Sequence, residues 1–367
     1  MSHRVFNFAA GPAVLARPVL EAAQRHVLGI EGLGVSALEV SHRSAWFMDV
    51  IQEAEANLRE LLTISPTYRV VFCQGGATLQ FSMLAMNFLR GTGRTADYII
   101  TGSWGSKAVK EAGKEGDVRT AWTDEPNGFR RVPIHDELSG ALSPDAAFVH
   151  ITENETIQGV EFPTTPTTPT GVPLFCDMSS DFLSRPVDVD RYGLIYAGAQ
   201  KNAGPAGVTV AIIREDLLEG IPDGLPIMLD YRTFTEHGSL YNTPPVFSIL
   251  VLMLVTRWLL DDVGGVEKQL DHNRRKASAL YDVIDSSNGF YRGHADPASR
   301  SLMNVTWRLP TPELEQRFVA EAAADGMIEL KGHRSLGGIR ASFYNAMPME
   351  GAEMLARFML AFRAANA

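Results

Sequence analysis

The sequence contains few of the residues on which disulfide frameworks and metal sites are built. Among its 367 residues are two cysteines, Cys73 and Cys176, and each lies in an apolar run that is typical of a buried strand. Two such thiols argue against a disulfide framework and favour a reduced, cytoplasmic protein. The nine histidines show no HExxH or other metal-ligand spacing, so we expect no metal site.

Signals for export, membrane insertion and polyanion binding are missing as well. The first residues contain no apolar signal region. The most apolar stretch, residues 246–260, is interrupted by polar side chains and is too short to span a bilayer. The formal net charge of −10 argues against a nucleic-acid or anionic-membrane partner. We therefore expect a soluble globular protein with no nucleic-acid and no membrane partner.

Short apolar runs alternate with amphipathic stretches over residues 17–260. This alternation predicts an α/β fold with a doubly wound, mostly parallel sheet. The predicted strands are 69–73, 98–101, 147–151, 174–176, 195–197 and 208–213, and the predicted helices include 50–62, 78–89 and 246–260.

The pattern changes after Gly264-Gly265, where long helices flank short strands. This change predicts a smaller α+β domain at the carboxyl-terminal end of the chain. We expect a large domain over residues 17–260 and a small domain formed by residues 1–16 and 261–367. The helices predicted in the small domain are 266–285, 312–325 and 349–363, and the strands are 303–308 and 339–342.

A lysine and an aspartate follow two neighbouring apolar runs. Asp177 directly follows the apolar run 172–176, and Lys201 lies just past the run that begins at Leu194. A pyridoxal phosphate (PLP) site needs such a pair, because a lysine forms a Schiff base with the aldehyde and an acid keeps the pyridine nitrogen protonated. Taken alone, the pair is equally consistent with a surface lysine and a helix-capping aspartate.

Other polar groups also follow predicted strands. Gly75-Gly76-Ala77-Thr78 opens a helix, and glycines at a helix start let backbone N–H groups approach a phosphate. Trp104 follows the next strand and is placed to stack on a ring, although it could equally be a rim aromatic. Thr156 follows a third strand in what could be an ordinary turn. Ligands of open α/β sheets bind at this edge, so the convergence favours a site.

Two cationic groups stand out against the acidic composition. His42 and Arg43 come early, whereas His333 and Arg334 come late, and either pair could be a solvated loop. An arginine with a histidine suits a doubly charged phosphate. Arg340 differs because it lies inside a predicted strand, where a buried charge needs a partner such as a substrate carboxylate.

Taken together, these motifs resemble those of the phosphoserine aminotransferases, a family of class V PLP-dependent enzymes of fold type I. The resemblance covers essentially the whole chain. It rests on residues 6–12, 39–43, 154–156, 177–180, 196–207, 242–245, 331–334 and 340–348.

The resemblance implies that PLP is the cofactor and is held by nine residues. Lys201 would bind it covalently, Asp177 would pair with the pyridine nitrogen, and Trp104 would stack on the ring. Thr156 and Gln200 would contact the ring substituents. The phosphate would be held by Ala77 and Thr78 together with Asn242 and Thr243 of a second subunit, which implies a homodimer with shared active sites.

The resemblance also implies the reaction. L-Glutamate and 3-phosphohydroxypyruvate would be interconverted with 2-oxoglutarate and O-phospho-L-serine by a ping-pong mechanism in serine biosynthesis; some relatives also serve vitamin B6 biosynthesis. Arg340 would bind the α-carboxylate of both substrates. The distal anion would be bound by His42, Arg43, His333 and Arg334.

Three other functions compete with this interpretation. An alanine–glyoxylate or serine–pyruvate aminotransferase shares the fold but does not need the two His-Arg pairs. A cysteine desulfurase needs a reactive loop cysteine, whereas Cys73 and Cys176 lie in predicted strands. A catalytically silent scaffold of the same fold would have no use for both Lys201 and Asp177.

Overall fold

The computed structural model describes residues 4–366, so residues 1–3 and Ala367, which the predicted small domain includes, lie outside the described residues. The helices are α1 (Arg17–Leu28), α2 (Ala45–Leu62), α3 (Gly76–Phe88), α4 (Ser103–Ala112), α5 (His135–Leu138), α6 (Tyr231–Glu236), α7 (Val246–Trp258), α8 (Val266–Asp285), α9 (Pro312–Ala324) and α10 (Met349–Asn366). The strands are β1 (Phe6–Asn7), β2 (Tyr68–Cys73), β3 (Ala96–Ile100), β4 (Val118–Thr123), β5 (Val149–Thr152), β6 (Asn154–Glu155), β7 (Val160–Glu161), β8 (Leu174–Asp177), β9 (Leu194–Gly198), β10 (Thr209–Arg214), β11 (Arg292–Gly293), β12 (Asn304–Arg308), β13 (Met327–Ile328) and β14 (Ile339–Ser342).

A seven-stranded sheet forms the centre of the large domain, with the strand order β2-β10-β9-β8-β5-β3-β4. Only β10 runs antiparallel to its neighbours β2 and β9. The inner strands read as continuous apolar runs because both faces of the sheet are covered. Within β8, Leu174 and Cys176 pack into one hydrophobic core and Phe175 into the other. The predicted mostly parallel α/β fold is thereby confirmed.

The predicted strands of this sheet agree with the observed ones to within two residues. The sequence pattern missed β4 because this edge strand is polar and only partly buried along its length. It predicted a strand-to-helix turn at residues 99–106 but gave no bounds for α4. The buried positions of that helix are Gly105, Ala108 and Ala112, which give no periodic pattern of large apolar residues. It also missed α1, whose buried residues are only Val19 and Ala23.

The small domain has its own antiparallel sheet, in the order β11-β12-β14, packed with α8, α9 and α10. The chain start joins this unit, since β1 pairs in parallel with β13. Phe8 packs edge-on against Phe343 with ring centroids 5.8 Å apart. These contacts place residues 6–8 against the small domain, and the predicted domain boundaries stay a prediction. Among the helices of residues 4–366, none has the length and apolarity required to cross a membrane.

The large and small domains touch closely at Gly159, just after the site loop that follows β6. Its backbone is left-handed, with φ of 69°, and a Cβ there would lie 2.4 Å from Thr306 Oγ1 and 2.5 Å from Asn304 O. Ser301 of the small domain donates its N–H to Gly159 O at 3.0 Å. Glycine is therefore required both by the backbone conformation and by the close approach of β12.

We predict that Gly159→Ala destabilises the protein by more than the conformational penalty alone. The matched control is Gly171→Ala, because Gly171 has φ of 82° and no atom within 4 Å of a Cβ built there. In the control variant, the free energy of unfolding is expected to fall by only about 1–2 kcal/mol, which is the cost of placing a residue with a Cβ in left-handed backbone. Urea unfolding midpoints measure both variants. Equal losses would contradict the close contact between the domains at Gly159.

Candidate active site

Lys201 and Asp177 are brought together by two adjacent parallel strands. Strand β8 ends at Asp177, and β9 ends at Gly198, three residues before Lys201; Asp177 pairs in register with Tyr196. The Asp177 carboxylate is buried and accepts the Ser179 N–H at 2.9 Å. Ser179 Oγ accepts the N–H of Gly198 at 3.0 Å, which ties the two strand ends together. The sheet therefore fixes the acid and the lysine relative to each other.

The Lys201 amine lies in an environment that favours its neutral form. Its Nζ donates to Thr156 Oγ1 at 2.6 Å. Burial lowers the pKa of Lys201 to about 8, against the opposing effects of the Asp177 and Glu155 carboxylates. Burial also raises the pKa of Asp177, which the charge of Lys201 opposes. A lysine with such a pKa is a usable nucleophile and base near neutral pH.

The indole of Trp104 lies beside this amine, with Lys201 Nζ 5.6 Å from the ring centroid. The ring belongs to the first turn of α4 and is held there by Glu155. This fully buried carboxylate accepts the N–H of Trp104 at 2.9 Å and the N–H of Gly105 at 2.8 Å. Burial raises the pKa of Glu155 to about 7, and the two N–H donors oppose that rise. Glu155 thus satisfies the helix start and positions the indole.

The turn between β2 and α3 presents backbone N–H groups at the same edge of the sheet. Gly75 and Gly76 adopt φ of 88° and 66°, which glycine allows without steric cost. Ala77 and Thr78 follow in the first helical turn, where N–H groups have no partner inside the helix. Such a start binds anions well. The side chain of Gln74 also donates to Thr243 O of the same chain at 3.3 Å. The resemblance, by contrast, assigns Asn242 and Thr243 of a second subunit to this turn.

Arg340 comes from the other domain and meets the same threonine as the lysine. Its Nη1 donates to Thr156 O at 3.4 Å, while Lys201 Nζ donates to the Thr156 hydroxyl. Burial lowers the pKa of Arg340. Between residues 4 and 366 no carboxylate forms an ion pair with this guanidinium. A half-buried guanidinium without a counter-charge is a suitable site for a carboxylate ligand.

The loop between β13 and β14 carries His333 and Arg334 to the same region. Arg340 N donates to Leu330 O at 2.8 Å, which closes the loop at its base. The pKa of His333 is lowered by burial and by the charges of Arg340, Lys107 and Arg334. Lys107 Nζ in turn lies 3.9 Å above the Trp104 ring. The structure therefore brings three cations around His333 at the mouth of the site.

Other predicted site residues have fewer contacts with this centre. Gln200 adjoins Lys201, and its carbonyl accepts the Ala13 N–H at 2.8 Å, which lays the chain start along the site. His42 and Arg43 lie in the turn before α2, and Arg43 and Asn242 are exposed. Within the described chain, neither His42 nor Arg43 has a hydrogen bond to Lys201, Asp177 or Arg340.

Three residues at the site were not predicted from the sequence. Glu155 was passed over because a carboxylate in a polar turn reads as exposed, although it is fully buried. Tyr344 donates its hydroxyl to Ala10 O at 2.8 Å, next to Arg340, and it lies in an apolar stretch typical of core. Lys107 could have been found, since its position three residues after Trp104 puts it on the same face of α4.

These residues form a set of groups that fits PLP. A buried carboxylate, a lysine of lowered pKa and an indole lie at one edge of the sheet. The helix start at Gly75-Gly76 offers backbone donors for a phosphate at the same edge. Each group of the cofactor thereby has a chemically matched partner.

Comparison with known proteins gives a consistent result. The model of the class-V aminotransferase family matches residues 5–355. The phosphoserine aminotransferase of Rhodopirellula baltica is 53% identical over 363 residues, which cover 99% of this chain and 96% of the relative.

Solved structures of the same kind of enzyme have the same fold. The phosphoserine aminotransferase from Bacillus circulans subsp. alkalophilus has 49% identity and a TM-score of 0.96, and the match covers 100% of both chains. A PLP-bound phosphoserine aminotransferase from Trichomonas vaginalis has 38% identity and a TM-score of 0.91, covering 97% of this chain and 100% of that one.

We predict that the Lys201 amine of the cofactor-free protein becomes reactive with a midpoint near pH 8. Only the neutral amine is acylated, and burial favours that form. Competitive acetylation across pH 6–11, followed by peptide mass spectrometry, measures the midpoint. The same peptide in denaturant serves as the control and should give the ordinary value of about 10.4. A native midpoint at or above the denatured one would contradict this description of the site.

Proposed function

The chain belongs to the class-V aminotransferase family, and we propose that it is a PLP-dependent phosphoserine transaminase. It transfers the amino group of L-glutamate to 3-phosphohydroxypyruvate, giving 2-oxoglutarate and O-phospho-L-serine for serine biosynthesis. The observation that carries the proposal is the pair of contacts on Thr156, which set the Lys201 amine beside the unpaired Arg340 guanidinium. The identity of 53% over nearly the whole length supports it.

Residues from several strand ends would hold the cofactor. Asp177 would pair with the pyridine nitrogen, Trp104 would stack on the ring, and Thr156 and Gln200 would contact the ring substituents. Ala77 and Thr78 would hold the phosphate. Bound PLP supplies a carbonyl that condenses with primary amines and a ring that takes up electron density from the substrate.

Proton transfer at the substrate is the work of Lys201. Its pKa of about 8 leaves a fraction of the amine neutral at physiological pH, so Nζ can take the Cα proton of the amino acid and return it as an acid. Thr156 Oγ1 accepts from Nζ and so directs the amine. Because amino-group transfer alternates between two substrates, the same lysine acts in both half-reactions.

Both substrates carry an α-carboxylate and a second anion, which is why one site accepts both. Arg340 binds the α-carboxylate through its fork of N–H donors. His333 and Arg334, with Lys107 and Arg340 nearby, form a cationic region for the distal phosphate or carboxylate. An alanine–glyoxylate type of transaminase has no need of this second cationic group, and this observation favours a phosphorylated substrate.

A second copy of the chain completes the site in this proposal. His42 and Arg43, and likewise Asn242 and Thr243, lie on exposed segments, and each segment is preceded by exposed apolar side chains. Exposed apolar groups of this kind mark interaction surfaces. The side chains in question are Leu33, Val35, Leu38 and Tyr241. We therefore propose a homodimer in which these segments reach the partner's site, and a cytoplasmic location consistent with two buried free thiols.

We predict that Arg340→Ala lowers kcat/KM in both half-reactions, because each substrate presents an α-carboxylate. Loss of a hydrogen-bonded charge costs about 1.5–3 kcal/mol, which corresponds to about 10–150-fold. Arg340→Lys, which keeps the charge but loses the fork, should fall in between. Single-turnover kinetics of glutamate and of 3-phosphohydroxypyruvate measure each half-reaction separately. A loss confined to one substrate would sink the assignment of Arg340.

We predict that His333→Ala combined with Arg334→Ala impairs the phosphorylated keto acid more than glutamate. A dianionic phosphate depends more on nearby cations than a carboxylate does. Arg317→Ala, which removes a surface ion pair to Glu321, is the control and should leave both rates unchanged. KM values for the two substrates provide the comparison. Equal effects on both would show that these residues do not face the phosphate.

A further inference from the structure

Helix α8 buries polar side chains where an apolar stripe is expected. Gln269, Asn273 and Lys276 are spaced four and three residues apart, so they share one face of the helix, and each is at most 1% exposed. Buried polar groups are retained only when they have partners. Each of the three side chains has a partner in the short segment 343–345, which directly follows strand β14 and its Arg340, and Asn273 also donates to Ser184 O.

Lys276 makes the largest number of these hydrogen bonds to the segment. Its Nζ donates to the carbonyls of three successive residues, Phe343 at 3.2 Å, Tyr344 at 2.7 Å and Asn345 at 3.3 Å. Three donors of one ammonium thus meet three acceptors of one backbone segment. No carboxylate neutralises this amine among the residues that the structure describes, and burial lowers the pKa of Lys276 to about 7.

The same segment is bound from its other side by the loop that carries the catalytic lysine. Asn202, the residue after Lys201, accepts the N–H of Asn345 at 2.8 Å through its amide oxygen. Asn345 also donates its side-chain N–H to Leu183 O at 2.9 Å in the large domain. Segment 343–345 therefore connects the Lys201 loop to the small domain.

The segment also carries two groups of the site. Arg340 lies three residues before it, and Tyr344 within it donates to Ala10 O at 2.8 Å. A shift of the segment would therefore move both the guanidinium and the phenol relative to Lys201. The interior is densely packed, so such a shift would not be absorbed by neighbouring side chains.

We propose that Lys276 is a positioning residue that sets the Arg340 guanidinium at its working distance from Lys201, an inference that rests on the proposed transaminase function. It acts through backbone carbonyls and touches neither substrate nor cofactor.

Stability alone does not account for a lysine at this position. Tyr344 O also accepts the Met347 N–H, and Asn345 O also accepts from Gln269, so removal of the amine leaves only Phe343 O without a donor. Methionine has a similar length and fills a buried space without a charge. A methionine at position 276 would therefore fill the space at little expense, whereas it could not hold three carbonyls.

The test is Lys276→Met measured beside Lys268→Met, an exposed lysine of the same helix. We expect Lys276→Met to lower kcat/KM about 2–30-fold for both substrates, mainly through KM, as a residue that acts through another would. Binding of 2-oxoglutarate to the PLP-loaded protein, measured by calorimetry without an amino donor, should weaken by the same factor. Lys268→Met should change neither quantity.

A double-mutant cycle separates positioning from general damage. If Lys276 acts through Arg340, Lys276→Met should change kcat/KM by less than about twofold in an Arg340→Ala background. An equal loss in both backgrounds, or a loss in kcat with KM unchanged, would overturn the proposal.

A second variant, Asn202→Ala, keeps the proposal testable if Lys276→Met fails to fold. Asn202→Ala removes the acceptor of the Asn345 N–H and should give the same KM pattern and the same dependence on Arg340. A wild-type chain that transfers no amino group would overturn the proposed function and this inference together. If the wild-type chain is active but the losses from Lys276→Met and Arg340→Ala are additive, only the positioning role of Lys276 is overturned.

Discussion

The hydrogen bond from Lys201 Nζ to Thr156 Oγ1 joins the two halves of the site, because Arg340 donates to the carbonyl of the same threonine. The Lys201 amine is positioned by the parallel strands β8 and β9, which end at Asp177 and shortly before Lys201. The Arg340 guanidinium is positioned by strand β14 of the small domain. Burial at the contact lowers the pKa of Lys201 to about 8 and gives the amine its reactivity. The position of the Lys201 amine and the contact between the two domains therefore both depend on Thr156.

Several buried polar groups hold the segments on either side of this contact in place. Glu155 holds the start of α4 and with it the Trp104 indole, and Ser179 links the ends of β8 and β9. Lys276 and Asn202 hold segment 343–345 from opposite sides. Each of these groups has a low-dielectric environment and a satisfied hydrogen bond, which is the condition under which buried polar groups add specificity. In the proposed function, substrate binding would therefore depend on residues that do not touch the substrate.

The fold and the reactive groups were largely predictable from the sequence, because strand ends in an α/β sheet bring distant residues together by topology. Lys201, Asp177, Trp104 and Thr156 were predicted in this way to lie together, and the structure brings them to one edge of the sheet, while their roles stay a prediction. Glu155 and Lys276 were not, since nothing in a sequence distinguishes a buried charge with partners from an exposed one. The start of α4 was predicted from the turn at residues 99–106, but its length was not, because small residues rather than large apolar ones line its buried face. The contribution of a second subunit follows only from the resemblance and from exposed apolar segments.

In the proposed reaction, Lys201 and Arg340 together serve the transfer of an amino group between two substrates that each carry two anionic groups. The most direct measurement is the visible absorption spectrum of the PLP-loaded protein during sequential addition of L-glutamate and 3-phosphohydroxypyruvate. We expect glutamate to abolish the band of the lysine-bound cofactor and the keto acid to restore it. A band that glutamate leaves unchanged would contradict the transaminase assignment. A band that the keto acid fails to restore would contradict the phosphorylated substrate.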